Sequence, residues 1–557
     1  MNESPRPWQE LYPPSVDSGL TGAFPTMLHA WDEHVRRRPK APAVYYFATE
    51  LSFAAVDRTA DALACWLQGV GVQPKDRVAV YLQNDPQWLA VMLGIWKAGA
   101  IPVAVNPMLR HEELTHHLVD CGAVVLVCLE HLYGEVAEDV VPHTAVRHVL
   151  TTHPLDMTPT VQPPEAVARH IPGRRDFESA EGWRVVVERY EGRRPESAGR
   201  RPQPGDVGML TYTSGTTGRA KGAMNLQSAM VHNSTVYSTW WDLRSERDVV
   251  LCMAPVFHIT GAIAGLGTAI VSGTPVVLLH RFEPEVVLRA VERRRATFTV
   301  AASTAFIALI NHPSLQHYDV SSLTKTLSGG APVSAALVRK VRDAAGWNLH
   351  GVYGMTETTS PTHLGPPGVQ PPVDAESGAL SVGVPVPGCE IRVVDPADGR
   401  VLPPGETGEI VARGPMVVPG YWQLPEESAR AVGDDGWLRT GDVGKVTEGG
   451  WLFVVDRLKD LINAGGYKIF PRDVEGVLQE HPAVREASVV GIPHEYRGET
   501  VKAFVSVVPG HHVDPEDLIA YCKERMAAYK YPREVEILEE LPKNTSGKVL
   551  RRELRER

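Results

Sequence analysis

The sequence predicts an α/β protein, with a large N-terminal domain of several subdomains built on parallel-rich sheets and a small, mobile α+β domain after it. Three observations carry that prediction. Segments with helical spacing alternate with short β-like runs, the pattern of parallel strands joined by covering helices. Roughly the last hundred residues change to an α+β pattern of their own. The composition of the 557 residues, 43% apolar and 22% charged, is that of an ordinary globular protein. At roughly 150 residues per unit, the length has room for about three to four domain-sized pieces.

The elements can be taken in order. The first 25 residues are Pro-rich and are expected as an extended arm. Ser52 is placed to cap a helix in which Val56, Ala60, Leu63 and Leu67 recur every three or four residues, stopped by Gly69 and Gly71. RVAVYL at 77–82 follows as a strand, Pro86 opens the next helix, and residues 101–105 and 123–127 read as further strands. Residues 151–205 are rich in Pro, Arg and Glu without periodicity. Their Arg174, Arg175, Arg193, Arg194, Arg200 and Arg201 are interleaved with Glu178, Glu181, Glu188, Glu191 and Glu196, so a solvated surface excursion is expected rather than an anion patch. Residues 249–279 contain no Asp, Glu, Lys or Arg, a run long enough to cross a bilayer. Pro255, Pro275, Gly261, Gly265, Gly267 and Gly273 break it and His258 sits inside it, which favours a buried strand–helix–strand over a membrane span. Near the C-terminus, a helix is expected over 473–479 and strands over 487–490 and 501–508. Asp514 and Pro515 make an N-cap and first-turn pair for a helix running to about residue 528. The expected division is an arm at 1–25, a large domain at 26–457 and a small lid at 458–557.

Composition excludes several classes of function. With 66 acidic and 56 basic residues the formal charge is −10, which argues against a nucleic-acid partner, since that needs a basic face to displace counterions. Six cysteines without a CxxC pair suit neither a disulfide framework nor a zinc site, and reduced thiols in a cytoplasmic protein are expected. The opening MNESPRPWQELYPP lacks the basic and apolar regions of a signal peptide, and RRELRER matches no lipidation signal. His111-Glu112 is followed by a histidine only at 116, so the H-E-x-x-H zinc motif is missing, as is a G-x-S-x-G elbow.

The strongest local motif is TYTSGTTGRAKG at 211–222, directly after the mostly apolar run 207–210. A strand feeding Thr213, Ser214, Gly215, Thr216, Thr217 and Gly218 and closed by Lys221 is a phosphate cradle in physical terms. Glycines let backbone N–H groups approach the oxygens, hydroxyls donate, and the lysine adds charge. The spacing does not fit the G-x-x-x-x-G-K-[ST] loop.

With this loop the sequence resembles the adenylate-forming (ANL) superfamily, in its acyl-CoA synthetase and fatty acid–CoA ligase branch. Further motifs stand in that family's order: WKAGAIPVAVNP (96–107), APVFHITG (254–261), SGGAP (328–332), GVYGMTET (351–358), GEIVARGPMVVPGYW (408–422), WLRTGD (437–442), DRLKDLINAGGYKI (456–469) and PKNTSGK (542–548). The resemblance covers nearly the whole chain and implies an acyl-CoA synthetase-like fold with ATP, Mg²⁺ and coenzyme A as cofactors. It also implies two half-reactions: a carboxylate attacks the α-phosphorus of ATP to give an acyl-adenylate and pyrophosphate, then a thiol displaces AMP. Carboxylate and triphosphate repel each other, so catalysis should rest on neutralisation and positioning.

Carried over by motif position, the resemblance implies that Thr356 contacts the α-phosphate and Glu357 holds Mg²⁺. It implies that Tyr353 stacks on adenine opposite Gly330, Ala331 and Pro332, and that Asp442 takes both ribose hydroxyls with Arg457 nearby. Lys548 would reach the α-phosphate and carboxylate during adenylation. Lys459 is the matching hinge position, and the pivot would swing Lys548 out and bring Gly465 and Gly466 toward the pantetheine tunnel, where only glycine leaves room beside backbone.

By the same resemblance the acyl pocket involves His258, Ile259, Gly261, Thr304, Gly329, Gly351 and Met355. Most are small or apolar, with no Lys or Arg for a second carboxylate and no acid for an ammonium group, which favours an apolar monocarboxylate, fatty or aryl. The wording of residues 257–285 resembles medium- to long-chain fatty acyl-CoA ligases. The expected function is a carboxylate–CoA ligase working on a small-molecule carboxylate. The alternatives are a biosynthetic relative that passes the acyl group to a carrier protein in trans or to an amine, or activates another oxyanion, and a non-catalytic ATP-sensing protein, which the presence of Thr356, Glu357, Asp442, Arg457 and Lys548 disfavours. A homodimer is compatible with all three.

Overall fold

The computed structural model describes residues 6–213, 219–330, 333–375, 378–458, 460–464, 467–494, 498–543 and 549–557. Among these, the strands form four sheets. The first has seven strands in the order Glu181–Gly182, His148–Thr152, Val125–Leu129, Arg77–Tyr81, Ile101–Ala104, Val207–Tyr212 and Gly222–Leu226. All its pairings are parallel except the last, where Gly222–Leu226 turns back antiparallel on Val207–Tyr212. The second sheet has nine strands, with a parallel interior from Leu349–Met355 to Pro42–Tyr46 and antiparallel edges. The expected α/β class is therefore realised as two sheets with helices packed against them, sharing one large apolar core, with a second core of Leu251, Val277, Leu288, Phe306 and Trp347 on the nine-stranded sheet.

Local sequence explains the covering helices. Helix Phe53–Gly69 starts where Ser52 Oγ accepts the Ala55 N–H, and Val56, Ala60, Leu63 and Leu67 fill its buried face. Helix Pro86–Lys97 begins on proline, whose missing N–H is no loss in a first turn. Its flanking Asp85 has a different task. Asp85 Oδ1 accepts the Tyr46 hydroxyl at 2.7 Å and lies 2.8 Å from His280 Nδ1, so a loop of the first sheet is tied to two strands' worth of the second. The charge-free run becomes strand Val250–Leu251, a helical stretch from Gly261 through Ser272, and strand Val276–Leu278. No helix among the described residues is long and apolar enough to cross a membrane.

Three expectations shift. The N-terminal arm is not simply extended: Pro7–Leu11 forms a turn of 3-10 helix, Trp8 and Leu11 pack on the core, and the Tyr12 hydroxyl donates to the Pro385 carbonyl at 2.7 Å. The strand expected at 123–127 lies at Val125–Leu129, because Gly122 and Ala123 are spent closing the preceding helix. The helix expected to reach residue 528 stops at Arg525, where Met526 turns extended. The arginines of 151–205 pair with acids, as in Arg174 and Arg184 on Asp156 and Arg194 on Asp61, in keeping with a surface excursion. The six cysteines are unpaired thiols.

A third sheet of four antiparallel strands, Glu390–Val394, Gly408–Arg413, Leu438–Val446 and Leu452–Arg457, leads to the C-terminal unit. That unit has its own five-stranded sheet, with Val484–His494 and Gly498–Val507 as its long central hairpin and Glu534–Ile537 alongside. Helices Pro471–Glu480 and Pro515–Arg525 cover it, and Ile462, Val474, Leu478, Val489, Val505 and Leu518 form a separate core.

Among the buried histidines of the described residues, three have strongly depressed pKa values. Burial brings His117 and His350 down to about 4 and His363 to about 3, from an ordinary 6.5, although a hydrogen bond to the Glu113 carbonyl works the other way at His117. The unfolded chain therefore binds more protons below pH 6.5, so stability present above that pH should fall as pH drops toward 4. The slope should be about 1 kcal/mol per pH unit for each histidine. Thermal unfolding across that interval should show the loss, and a His363→Leu variant should show a shallower one; a flat profile would contradict it.

Candidate active site

The site forms where strands of different sheets end side by side. Strand Val207–Tyr212 delivers the chain to Thr213, whose N–H donates to the Lys221 carbonyl at 2.9 Å and so pins the two ends of the phosphate loop together. Just before the loop, the Tyr212 hydroxyl donates to Asp120 Oδ2 at 2.5 Å, and after it His116 Nε2 lies 3.0 Å from the Ala220 carbonyl. Helix His111–Cys121 thus braces both ends of the loop. Lys221 Nζ is 2.5 Å from Glu427 Oε2 and 5.1 Å from the centre of the Tyr421 ring.

The next strand end is more constrained. Strand Leu349–Met355 runs into the turn Thr356–Thr358 and the chain returns antiparallel as Ser360–Leu364. The reversal needs positive φ at two non-glycine residues, Thr359 (49°) and Ser360 (84°), a conformation costing about 1–3 kcal/mol each. It also needs Gly354, where a Cβ would stand 1.8 Å from the Ser360 carbonyl oxygen. Two asparagines hold it. Asn225 Nδ2 donates to the Thr356 carbonyl and Thr359 Oγ1, and Asn233 Nδ2 donates to the carbonyls of Thr358 and Thr359 at 3.0 and 2.7 Å.

On either side of this reversal two side chains reach opposite partners. The Tyr353 hydroxyl donates to Asp442 Oδ2 at 2.8 Å, and Arg457 Nε stands 3.2 Å from Asp442 Oδ1, its register partner on the adjacent strand. Burial, with the Asp442 charge beside it, raises the Tyr353 phenol far above its usual range, so it is a firm donor. Glu357 Oε1 accepts the Tyr421 hydroxyl at 2.7 Å, and the Val418 N–H donates to the Glu357 carbonyl at 2.9 Å. Burial raises the Glu357 carboxyl above its ordinary value, opposed by the Tyr421 hydrogen bond.

A cleft of about 1910 Å³ runs from these strand ends to the C-terminal unit. Of the residues expected at the site, Thr213, His258, Thr304, Gly330, Tyr353, Asp442 and Arg457 line it. Gly330 has a φ of 76° with open space where a Cβ would be. Thr356 and Glu357 lie behind the wall, each 8% exposed. His258 follows a segment held by Asn84, which donates to the Ala254 carbonyl and accepts the Val256 N–H at 3.0 and 2.8 Å.

Five expected pocket residues are not in the lining. Ile259 is 1% exposed in the main core. Gly261, Gly329 and Gly351 are glycines because backbone or a side chain occupies the Cβ position: Pro255 O at 2.2 Å, Val352 Cγ1 at 2.6 Å and Val382 Cα at 2.9 Å respectively. Met355 is half-buried beside the turn. The apolar part of the lining includes Phe257, Ile307, Ile310 and Val333, which sequence reasoning did not single out. Ser214, Gly215, Thr216, Thr217, Gly218, Ala331, Pro332, Lys459, Gly465, Gly466 and Lys548 lie outside the described residues.

Among the described residues there is no group of three His, Cys, Asp or Glu side chains that could cage a metal. One buried carboxylate, Glu357, suits a hard cation that takes most of its ligands from phosphate oxygens and water. Asn84, Asn225, Asn233, Glu427 and Tyr421 are functional neighbours the sequence reading missed. Tyr421 alone lay within a recognised motif; Asn233 sits among other polar residues of helix Gln227–Trp240, so nothing local marked it.

Comparison with known proteins gives this geometry a family. The model of the AMP-binding enzyme family matches residues 31–422, and that of the AMP-binding enzyme C-terminal domain matches residues 473–548. A long-chain-fatty-acid–CoA ligase of Bacillus subtilis (strain 168) is 34% identical over 564 residues, covering 100% of this chain and 98% of that protein. A feruloyl-CoA synthase of an Amycolatopsis species is 36% identical over 537 residues, covering 95% and 99%. Among solved structures, an anthranilate CoA ligase in complex with anthranoyl-AMP superposes with a TM-score of 0.84 at 25% identity, covering 97% of this chain and 98% of that one.

The asparagine brace generates a direct expectation. Asn233→Ala leaves the Thr358 and Thr359 carbonyls without their donor, and each buried unsatisfied group costs about 1–3 kcal/mol. Urea unfolding should show a loss of roughly 2–4 kcal/mol on that basis. A loss below about 0.5 kcal/mol, typical of a neutral surface change, would show that the reversal holds itself.

Proposed function

The chain belongs to the AMP-binding enzyme family as an AMP-forming acid–thiol ligase, and we propose that its acid is an apolar monocarboxylate, fatty or aryl, joined first to AMP and then to coenzyme A. The observation that carries the reading is one cleft in which Tyr353, Asp442 and Arg457 sit beside an apolar wall of Phe257, Ile307 and Val333. The names of the relatives, a long-chain fatty acid ligase and a feruloyl-CoA synthase, bracket the same chemistry.

In the first step a carboxylate oxygen bonds to the α-phosphorus of ATP while the bond to pyrophosphate breaks. Tyr353 and Gly330 frame the adenine. Asp442 takes the ribose: its two oxygens have room for about four hydrogen bonds, and Tyr353 and Arg457 use one on each, which leaves capacity for two hydroxyls. Thr213 and the loop up to Gly218 cradle the phosphates, Thr356 lies by the α-phosphate, and Lys221 leaves Glu427 for the triphosphate. Glu357 would hold Mg²⁺, which when bound neutralises phosphate charge. Lys548 approaches the α-phosphate and carboxylate. In the second step the lid turns about Lys459, Gly465 and Gly466 come to the thiol's path, and the sulfur bonds to the acyl carbon as the bond to AMP breaks. The thiol proton goes to solvent. His258 and Thr304 border the acyl group.

Pyrophosphate release over a panel of carboxylates is the test. Medium- and long-chain fatty acids and aryl acids should release it, and thioester should appear only when coenzyme A is added; amino acids should be inert. No release with any acid would sink the proposal.

Separately, Lys548→Ala should nearly abolish adenylate formation, by about 100-fold or more in line with losing a preorganised transition-state contact, yet spare thioester formation from supplied acyl-AMP. Equal losses in both steps would show that Lys548 does not serve one lid position alone.

A further inference from the structure

Glu357 is a single buried carboxylate, and its usefulness depends on which oxygen it presents. The segment around Val418–Trp422 settles that. Its Val418 N–H holds the Glu357 backbone carbonyl, and its Tyr421 hydroxyl holds Glu357 Oε1. The segment is itself sewn to the strand that leaves the phosphate loop: the Met224 N–H donates to the Gly420 carbonyl at 3.1 Å, and the Trp422 N–H to the Gly222 carbonyl at 2.8 Å. The Tyr421 N–H donates to Ser428 Oγ at 2.8 Å, and Gly420 takes a φ of 149° where a Cβ would stand 2.4 Å from that same oxygen. The tyrosine is thus fixed at its backbone, its ring lies beside the Lys221 ammonium, and among the described residues its hydroxyl's partner is Glu357.

We infer that Tyr421 is a positioning residue for adenylation: its phenol holds Oε1 of Glu357 and leaves Oε2 as the oxygen offered to the cation that accompanies the triphosphate. The inference rests on the proposed role of Glu357 as cation ligand and adds a residue to it. Outer-shell partners of this kind orient a ligand at little cost of their own, and their loss typically weakens metal affinity or activity by about 10–100-fold.

The test uses the full-length protein, Mn²⁺ as a paramagnetic probe, and α,β-methylene-ATP as a nucleotide that cannot adenylate. Tyr421→Phe removes one oxygen atom and keeps the ring by Lys221. It should weaken Mn²⁺ binding to the protein–nucleotide complex by about 10–100-fold. Nucleotide binding in EDTA should be unchanged, and the Mg²⁺ concentration for half-maximal pyrophosphate release should rise by the same factor at unchanged KM for the carboxylate. On a Glu357→Ala background, Tyr421→Phe should add nothing. If Glu357→Ala alone leaves Mn²⁺ affinity intact, the cation role of Glu357 falls. If Glu357→Ala weakens it and Tyr421→Phe does not, or if Tyr421→Phe adds a full further loss on Glu357→Ala, the positioning role falls. Should Tyr421→Phe fail to fold, Ser428→Ala carries the same titration by loosening the tyrosine's backbone. Native Mn²⁺ affinity there would overturn the inference.

Discussion

The strained reversal after strand Leu349–Met355 is the constraint on which the site depends. Two non-glycine residues at positive φ cost about 1–3 kcal/mol each, and such a turn persists only where its surroundings over-determine it. Asn225 and Asn233 supply that by donating to backbone oxygens that the reversal leaves outside any sheet ladder. The return is geometric. Because the chain doubles back within five residues, Tyr353 on the incoming strand reaches Asp442 while Glu357 in the turn reaches Tyr421. A relaxed loop would carry the same two side chains but would not hold them against opposite walls of one site.

A second dense knot of charge lies where the four-stranded sheet passes into the C-terminal unit. Asp456, on the last strand before residue 459, accepts the N–H groups of Arg457 and Arg472 and an Arg551 guanidinium nitrogen at 3.1 Å. Arg551 also reaches Asp460 and Glu475, on the lid side. Burial works against its charge, but Glu475, Asp456 and Asp460 together outweigh that and hold it more firmly protonated than an ordinary arginine. A buried ion network is weak evidence for net stability, since desolvation consumes much of the Coulombic gain. Its geometric consequence is firmer: one guanidinium ties Asp456 to Asp460 and Glu475 further along the chain. The lid turn proposed above would have to exchange the Asp456 partner while keeping Asp460 and Glu475.

Much of this was legible in the sequence, and the exceptions follow a physical pattern. Helix starts such as Ser52 and Pro86 obey local rules and stand where those rules put them. So does the strand leading into the Gly- and Thr-rich motif, Val207–Tyr212. Glycines were the weak point. Gly330 and Gly354 answer to backbone conformation and close approach within the site, whereas Gly261, Gly329 and Gly351, read as pocket residues, exist so that neighbouring chain can pack where a Cβ would be. A sequence does not distinguish a glycine that opens space from one that lets another segment fill it. Asn225 and Asn233 were illegible for another reason: their partners lie over a hundred residues away, and an amide's value there depends on a turn whose strain only the folded chain displays.

The charge balance takes on a different meaning in this setting. A protein of net charge −10 that binds triphosphate and coenzyme A gains little from its overall field, which repels both. Three cations among the described residues already have partners: Lys221 lies on Glu427, Arg457 on Asp442 and Arg551 on three acids. Binding a polyanion is then an exchange of partners. For Lys221 the proposed exchange would cost little, because its pairing with Glu427 is half-exposed and pairs of that kind are worth about 0–1 kcal/mol, whereas a phosphate oxygen is a stronger partner. In the proposed reaction the same arrangement would favour release, since Glu427 stands where it would take the ammonium back when pyrophosphate departs. A lysine without such a partner would hold its product more tightly.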